Sequence, residues 1–275
     1  MTTTPTRMRE PSSFPVRRMD YKFEEIEKYW CDNDPALTHF FTSMSTLLPE
    51  GEDYFLRVVR SLRTRIKDNK LNTDVGAFIG QEAMHSKEHH TFHISAQQQG
   101  LDPQSLEKIT GQILKRIEKV FPEKWNLSLV AGLEHYTATL AVEMMSHVQK
   151  RLTDPTIRHL WLWHSIEETE HKAVVYDFYE YLYGKNFKAY IPRVSIYTFG
   201  LFLILSLSII FQFVLMKRDK QLLNIKSWAT YLKFMASTSL RITPSFLSYY
   251  KFNFHPNKTN ELELLQNIKS EIGLV

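Results

Sequence analysis

The chain has 275 residues, of which 43% are hydrophobic and 23% charged, a composition that is typical of globular proteins and excludes a disordered chain. Its formal net charge of +4 is small and spread along the sequence, which argues against a nucleic-acid partner. A lone Cys31 excludes an internal disulfide framework, and the polar N-terminus lacks the apolar stretch of a signal peptide. We therefore expect a cytoplasmic protein.

Long helical patterns dominate the middle of the chain, where Pro and Gly are scarce. We expect helices over residues 51–66, from about 70 to 100, over 103–120, over 125–152 and over 154–184. The long helices form two hairpins, joined by a crossover that carries the short helix 103–120. This connectivity predicts an all-α fold, a ferritin-like four-helix bundle with a crossover helix. The predicted domains are a flexible basic arm (1–20), the bundle (21–190) and a hydrophobic helical C-terminal extension (191–275).

The segment QEAMHSKEHH, residues 81–90, concentrates groups that can bind a metal. At about 100° per residue, Glu82 and His85 lie about 60° apart on a helix, and His89 returns to within about 20° of Glu82. These three side chains should therefore point the same way. One Glu-x-x-His pattern is weak evidence, because a solvated charged face produces it as well.

The fourth long helix repeats the pattern. His164, Glu168 and His171 fall on one helical face, and Glu168 and His171 have the spacing of Glu82 and His85. Glu52 and Glu134 share helical stripes with apolar residues, and a carboxylate that faces a core is costly unless it is paired or metal-bound.

In chain order the four long helices thus supply Glu, Glu-x-x-His, Glu and Glu-x-x-His, the ligand set of dinuclear iron or manganese carboxylate bundles. We predict a site for two metal ions. Iron is the expected metal, with manganese or zinc as alternatives. Its ligands predicted from the spacing are Glu52, Glu82, His85, Glu134, Glu168 and His171. The alternative is a helical bundle that merely carries charged faces.

Six segments around these residues carry a resemblance to a known family: 15–20, 48–55, 78–85, 133–138, 163–172 and 254–256. In them the chain resembles the predicted metal-dependent hydrolases, which group with the ferritin-like di-iron proteins. The resemblance implies a metal-dependent enzyme, with hydrolysis as the activity in the family's name. Nothing else in the sequence indicates hydrolysis.

A narrower resemblance concerns the fourth long helix. His164-x3-Glu168-x2-His171 is similar to the pattern of p-aminobenzoate N-oxygenases, ferritin-like di-iron enzymes with a third histidine ligand. Carried onto this chain, it makes His164 an additional ligand. Four further residues are candidates to hold the ligands by hydrogen bonds, namely Gln81, His89, His135 and Glu167. His89 is also a candidate ligand, and all four can be read as ordinary helix-surface or core residues. We interpret His90, His93, His147 and His159 as surface or packing residues.

Residues 194–216 form a stretch of twenty-three residues without a formal charge, flanked by basic residues on both sides. That length can span a bilayer. A transmembrane helix, a re-entrant segment, a surface helix, a buried core helix and a homodimer interface all remain open. We expect this stretch to associate the protein with the inner face of the membrane.

The expected function is O2-dependent oxidation of an apolar or membrane-derived small molecule by a dinuclear iron oxygenase, which would need an electron donor. Hydrolysis assisted by two metal ions is the first alternative. Metal storage or sensing without turnover is the second.

Overall fold

The computed structural model describes residues 12–24 and 26–274, and in this part of the chain every regular element is a helix. No strand occurs there, and an isolated antiparallel bridge joins Cys31 to Leu152. The α-helices are α1 (Pro35–Ser45), α2 (Leu48–Leu62), α3 (Asn69–Gln98), α4 (Pro103–Val120), α5 (Glu123–Glu143), α6 (Pro155–His171), α7 (Val174–Tyr183), α8 (Phe187–Arg218), α9 (Ile225–Ser248) and α10 (Leu262–Glu271). The predicted all-α class is confirmed.

Local sequence signals set several helix starts. The Asp68 carboxylate accepts a hydrogen bond from the Leu71 N–H at 2.7 Å, and the Asp154 carboxylate accepts one from the Ile157 N–H at 3.0 Å. Each bond satisfies a backbone donor that has no partner inside the helix. These caps fix where the two Glu-x-x-His helices, α3 and α6, begin.

The helices that carry the predicted ligands pack around one another. Helix α2 lies along α3, α5 lies along α6, and the two pairs meet through α2 with α5 and α3 with α6. Helix α4 crosses between the pairs and packs on α2 and α3. This is the predicted arrangement of two hairpins joined by a crossover helix, and it directs the inner faces of four helices toward one another.

Two predicted helices end earlier than expected. The predicted helix 51–66 runs instead from Leu48 to Leu62, followed by a 3₁₀ turn at Arg63–Arg65. The predicted helix 154–184 is broken directly after His171 into α6 and α7. Lys172 at the break reaches Thr259 and Glu261 near the C-terminus, so contacts distant in sequence hold the chain there. No Pro or Gly marks this break in the sequence.

The predicted helix 125–152 also differs at its C-terminal end. Regular α-helix stops at Glu143, and a π-helical turn at Met144–Val148 and a 3₁₀ turn at Gln149–Arg151 follow. Single π turns occur frequently beside functional sites, because the inserted residue redirects the side chains around it.

Part of the predicted basic arm lies against the bundle. Phe14 is buried, the Gln81 amide donates to the Pro15 carbonyl at 2.8 Å, and Arg17 forms an ion pair with Glu170 at 2.7 Å. These contacts correct the expectation of a free arm for residues 12–20. Residues 1–11 of the predicted arm lie outside the described residues.

The predicted C-terminal extension packs on the bundle, with α8 and α9 both lying on α1 and α5. Helices α5 and α8 approach closely at Gly132, where a Cβ atom would come within 3.0 Å of the Tyr197 ring. A small residue is therefore required at this crossing.

Candidate metal centre

The structure brings all seven predicted ligands together inside the bundle. None of them is more than 4% exposed. They come from α2 (Glu52), α3 (Glu82, His85), α5 (Glu134) and α6 (His164, Glu168, His171). The helical spacing that predicted a common face therefore holds for every one of them.

Their side chains form overlapping groups whose potential ligand atoms lie within 4.8 Å of one another. The buried groups are Glu52 with His85 and His164, Glu82 with His85 and Glu168, and Glu82 with Glu134 and His171. Glu82 and His85 each belong to two of these three groups, so they link the groups into one cluster.

Hydrogen bonds on the far side of two imidazoles aim the other ring nitrogen into the cluster. His171 Nδ1 lies 2.9 Å from the Gln81 amide oxygen, and His85 Nε2 lies 3.1 Å from a Glu167 oxygen. Both partners are acceptors, so each ring nitrogen that faces them carries the proton. His171 Nε2 and His85 Nδ1 thereby face the cluster, where each can bind a cation once it carries no proton. Gln81 and Glu167 therefore lie where they could orient these two imidazoles, which is the role predicted for them.

The cluster also contains many polar atoms without a hydrogen-bond partner. Among the described residues, both oxygens of Glu52, Glu82 and Glu134, together with His85 Nδ1 and His171 Nε2, are buried without a hydrogen-bond partner, although His171 Nε2 lies 3.2 Å from an oxygen of Glu82 and 3.2 Å from one of Glu134. Buried polar atoms are almost always paired, and leaving one unpaired costs roughly 1–3 kcal/mol. Carboxylate oxygens and imidazole lone pairs are acceptors that a divalent cation satisfies together. The residues present therefore fit the metal site predicted from the sequence.

Burial and mutual repulsion disfavour the charged carboxylates when no cation is present. Burial, and then the charge of Glu168, raises the pKa of Glu82 to about 8. Burial and the charge of Glu82 raise the pKa of Glu134 to about 8, and the pKa of Glu52 is also raised by burial and by Glu82. Two divalent cations would remove this repulsion by neutralising the carboxylates.

Glu168 and His171 respond in the opposite sense. Burial alone would raise the pKa of Glu168, but the neighbouring His171 and His164 hold it well below its usual range. Burial alone would lower the pKa of His171, but Glu134 and Glu168 raise it well above its usual value. Without a metal, Glu168 is therefore a negatively charged carboxylate and His171 a positively charged imidazolium.

His89, a candidate ligand from the sequence, is turned away from the cluster. Its Nε2 lies 2.9 Å from Nδ1 of His164, and its Nδ1 lies 2.7 Å from the Ser45 hydroxyl. Both ring nitrogens are thus occupied, which argues against the direct metal contact that the sequence left open. The bond to His164 suits the other role considered for His89, which is to hold a predicted ligand in place.

The hydrogen bonds continue from His89 to the surface. The Ser45 hydroxyl lies 2.7 Å from His93 Nε2, and His93 Nδ1 contacts the Glu107 carboxylate. The same carboxylate lies 2.8 Å from Nδ1 of His90, whose side chain is half exposed. His93 and His90 therefore belong to this series of hydrogen bonds and are not merely the packing and surface residues that we expected. His85, His89 and His93 recur every fourth residue, a spacing that would have indicated the shared stripe.

His135 does not orient a ligand, contrary to the prediction. Its Nε2 lies 3.0 Å from the Ser245 carbonyl oxygen, and its ring stacks on Tyr249 with the centroids 5.1 Å apart. Burial lowers the pKa of His135 to about 4, so the ring is neutral. His135 therefore fastens α9 to α5.

A mainly apolar cavity of about 190 Å³ reaches the cluster. At its inner end it is lined by Glu52, Glu82, His164 and Glu168, and its walls are apolar side chains of α1, α2, α5, α8 and α9. A small molecule can thus approach the cluster from this side.

No curated protein and no solved structure shows a significant match to the chain. A family model described as predicted metal-dependent hydrolase matches residues 15–260, and the range includes all seven residues of the buried cluster. The likeness to ferritin-like proteins and N-oxygenases stays a prediction. The chain belongs to the family of predicted metal-dependent hydrolases.

Proposed function

We propose that the protein is a hydrolase that binds two divalent metal ions and acts on an apolar substrate. The observation that carries the proposal is the convergence of unpaired buried carboxylate and imidazole atoms at the end of an apolar cavity. The family to which the chain belongs supports metal-dependent hydrolysis.

Two bound divalent ions would polarise a substrate carbonyl or phosphoryl oxygen and lower the pKa of water. The protein's own side chains would hold the ions and place the substrate. Glu82, which belongs to two of the three ligand groups, would help to hold the ions, and so would Glu134 with His171. Gln81 and Glu167 would keep the two imidazoles in the tautomer that binds metal.

The cavity determines which side of the cluster a substrate can reach. The ligands that border it, and that would be closest to a bound substrate, are Glu52, Glu82, His164 and Glu168. Thr137 also lines the cavity and donates its hydroxyl hydrogen to Glu168. The apolar walls would exclude bulk water, which strengthens every electrostatic interaction at the cluster.

O2-dependent oxidation is the second candidate, and the ligand set is the specific observation that favours it. All carboxylates and imidazoles of the cluster project from helices of one bundle, as in dinuclear carboxylate proteins that bind iron or manganese. Iron with O2 and an electron donor would supply redox chemistry that zinc cannot.

Metal analysis of the gently purified protein tests the shared part of both candidates. We expect about two metal ions per chain and fewer in the Glu134→Gln variant. A metal-free wild-type protein that also takes up no metal on titration would contradict both candidates.

Isotope labelling separates the two reactions. The metal-loaded protein is incubated with p-nitrophenyl esters of increasing acyl length, and separately reduced and exposed to O2. Hydrolysis incorporates oxygen from labelled water into the acid product and needs no O2. Oxygen uptake by the reduced protein without ester cleavage would favour oxidation instead, and tight metal binding with neither reaction would favour storage or sensing.

A further inference from the structure

The cavity opens between α8 and α9. The two helices meet at one end, where the rings of Phe213 and Trp228 stack with their centroids 4.9 Å apart, and at the other, where the Tyr197 hydroxyl donates to the Phe246 carbonyl at 3.4 Å. Between these contacts the cavity lining includes Leu205, which is 45% exposed. A side chain that lines the cavity and is also exposed marks the mouth.

Helix α8 exposes apolar side chains and buries polar ones, which is the opposite of a helix on a water-facing surface. Phe202, which is 74% exposed, belongs to an apolar outer stripe, whereas Gln212 and Arg193 are buried at 1% and 3%. The stripe consists of Phe199, Phe202, Leu205, Ile209, Ile210 and Phe213. Helix α9 continues the apolar surface with exposed Leu232, Leu240 and Leu247. In water such a patch is costly, and patches of this kind mark interaction surfaces.

Length and composition allow α8 to cross a membrane, but its packing does not. Near its start Arg193 donates to the Tyr249 carbonyl at 2.7 Å, and at its end Arg218 donates to the Leu101 carbonyl at 3.0 Å. The first bond ties α8 to the end of α9, the second ties it to the segment just before α4, and α8 packs along α1 and α5 between them. A spanning orientation would draw the polar surface of these packed helices into hydrocarbon, which is strongly unfavourable.

We propose that the outer face of α8 and α9 lies flat on one leaflet of a bilayer, and that the acyl chain of a membrane lipid passes between the two helices into the cavity. The exposed side chains Lys217, Lys220, Lys226 and Lys233 flank this face and would attract anionic headgroups. The docking depends only on this surface. The identification of the lipid as substrate rests on the function proposed above.

Vesicle flotation tests the docking. The full-length protein should float with vesicles of phosphatidylglycerol and phosphatidylcholine. Phe202→Asp and Leu240→Asp should each weaken binding about tenfold or more, because each replaces an exposed apolar side chain with a charge. Leu262→Asp on α10 is the matched control, since Leu262 is exposed outside this face. Loss of binding in all three variants alike, or no binding by the wild type, would overturn the proposal.

Cysteine labelling tests the flat orientation. Lys185 and Lys220 flank α8 and are exposed, whereas the native Cys31 is buried. Single Lys185→Cys and Lys220→Cys variants bound to sealed vesicles should both react with a membrane-impermeant maleimide from the side to which the protein was added. Protection of one position until the vesicles are opened would show a spanning helix and overturn the orientation.

Photolabelling tests the route of the acyl chain. A phospholipid with a diazirine on its acyl chain, placed in the vesicles, should label cavity-lining residues such as Leu207 and Met144. Met235→Trp narrows the cavity and should reduce this labelling while vesicle binding stays unchanged. Labelling confined to the outer face, or cavity labelling only by a free diazirine fatty acid in solution, would overturn the lateral route. Neither readout requires metal or turnover, so a metal-free protein labelled in its cavity would contradict the proposed function alone.

Discussion

The imidazoles of His89 and His164 meet edge to face, with His89 Nε2 2.9 Å from His164 Nδ1. His164 Nε2 lies on the opposite side of the ring, 3.1 Å from a Glu168 oxygen. If His164 binds a metal through Nε2, its Nδ1 carries the proton and donates to His89. The same logic makes His89 donate to Ser45, and Ser45 to His93. A metal bond at His164 Nε2 would therefore determine which ring nitrogen carries the proton in His164 and His89, and it would make the Ser45 hydroxyl donate to His93.

Replacing His89 should weaken one metal site without emptying the other. In His89→Ala the proton on His164 Nδ1 loses its acceptor, so we expect the affinity for one ion to fall about 10-fold to 100-fold. His164→Ala should remove that ligand altogether and lower the affinity further. The check is metal titration followed by its optical spectrum, with His147→Ala, whose side chain is half exposed, as control. A His89→Ala titration identical to wild type would show that the bond to His164 has no role in binding.

The shared position of Glu82 predicts an asymmetry between the carboxylates. Glu82→Ala should lower the binding of both ions, whereas Glu134→Ala should affect mainly the ion held with His171. Glu118→Ala is a suitable control, because Glu118 pairs with Arg57 at the surface of the bundle. Metal stoichiometry after dialysis is the measurement. Equal losses in both cluster variants would contradict a larger role for Glu82, which belongs to two ligand groups, than for Glu134, which belongs to one.

The stability of the metal-free protein should fall as pH rises through the neutral range. The pKa of Glu134 is raised to about 8 from an ordinary value of 4.5, so between these values the folded state holds a proton that the unfolded state has lost. Because the folded state then binds more protons, the free energy of unfolding decreases with rising pH. Glu134→Gln lacks this proton and should lose less stability, which urea unfolding at pH of about 5.5 and about 7.5 would measure. Equal losses in both proteins would contradict the raised pKa.

Metal binding should have the opposite pH dependence. Metal binding must displace the protons held by Glu82 and Glu134. The apparent affinity for metal should therefore rise as the pH rises toward their pKa values of about 8. Titration calorimetry in two buffers of different ionisation enthalpy would measure the protons released. Binding without proton release at neutral pH would contradict this account.

The close crossing of α5 and α8 should be sensitive to a single methyl group. In Gly132→Ala the new Cβ would lie 3.0 Å from the Tyr197 ring and 3.3 Å from its Cα, so the helices must separate, at an expected loss of about 1 to 3 kcal/mol in the free energy of unfolding. Gly51→Ala is the matched control, because its Cβ would meet nothing within 4 Å and should stabilise α2 by about 1 kcal/mol. Equal effects would show that the crossing tolerates separation.

The sequence predicted the all-α class and the common face of the seven cluster residues because both depend on helical periodicity. Glu82 with His85 and Glu168 with His171 lie on regular helix, where spacing alone fixes direction. It did not predict Ser45, since this residue reaches His89 from a helix whose packing no local pattern reveals. It misplaced His135 because one histidine beside a ligand looks the same whether its ring turns toward the cluster or toward α9.

The helix break after His171 and the packing of residues 12–20 also depend on contacts that no local pattern reveals. The interruption after His171 lacks Pro and Gly and is held by Lys172 through residues about ninety positions later in the chain, at Thr259 and Glu261. Periodicity cannot register such a contact. For residues 12–20, Pro and Arg content suggested an arm, whereas the acceptors that bind Arg17 lie on α6.

The ion pair of Arg17 with Glu170 joins residues 153 positions apart. During synthesis Glu52, Glu82 and Glu134 leave the ribosome before His171, so the nascent chain carries an incomplete and self-repelling set of acids. Contacts so distant in sequence form late and slow the folding of a chain. The full set of cluster side chains could therefore hold metal only after α6 has been translated, and Arg17 can reach Glu167 and Glu170 only from that point on.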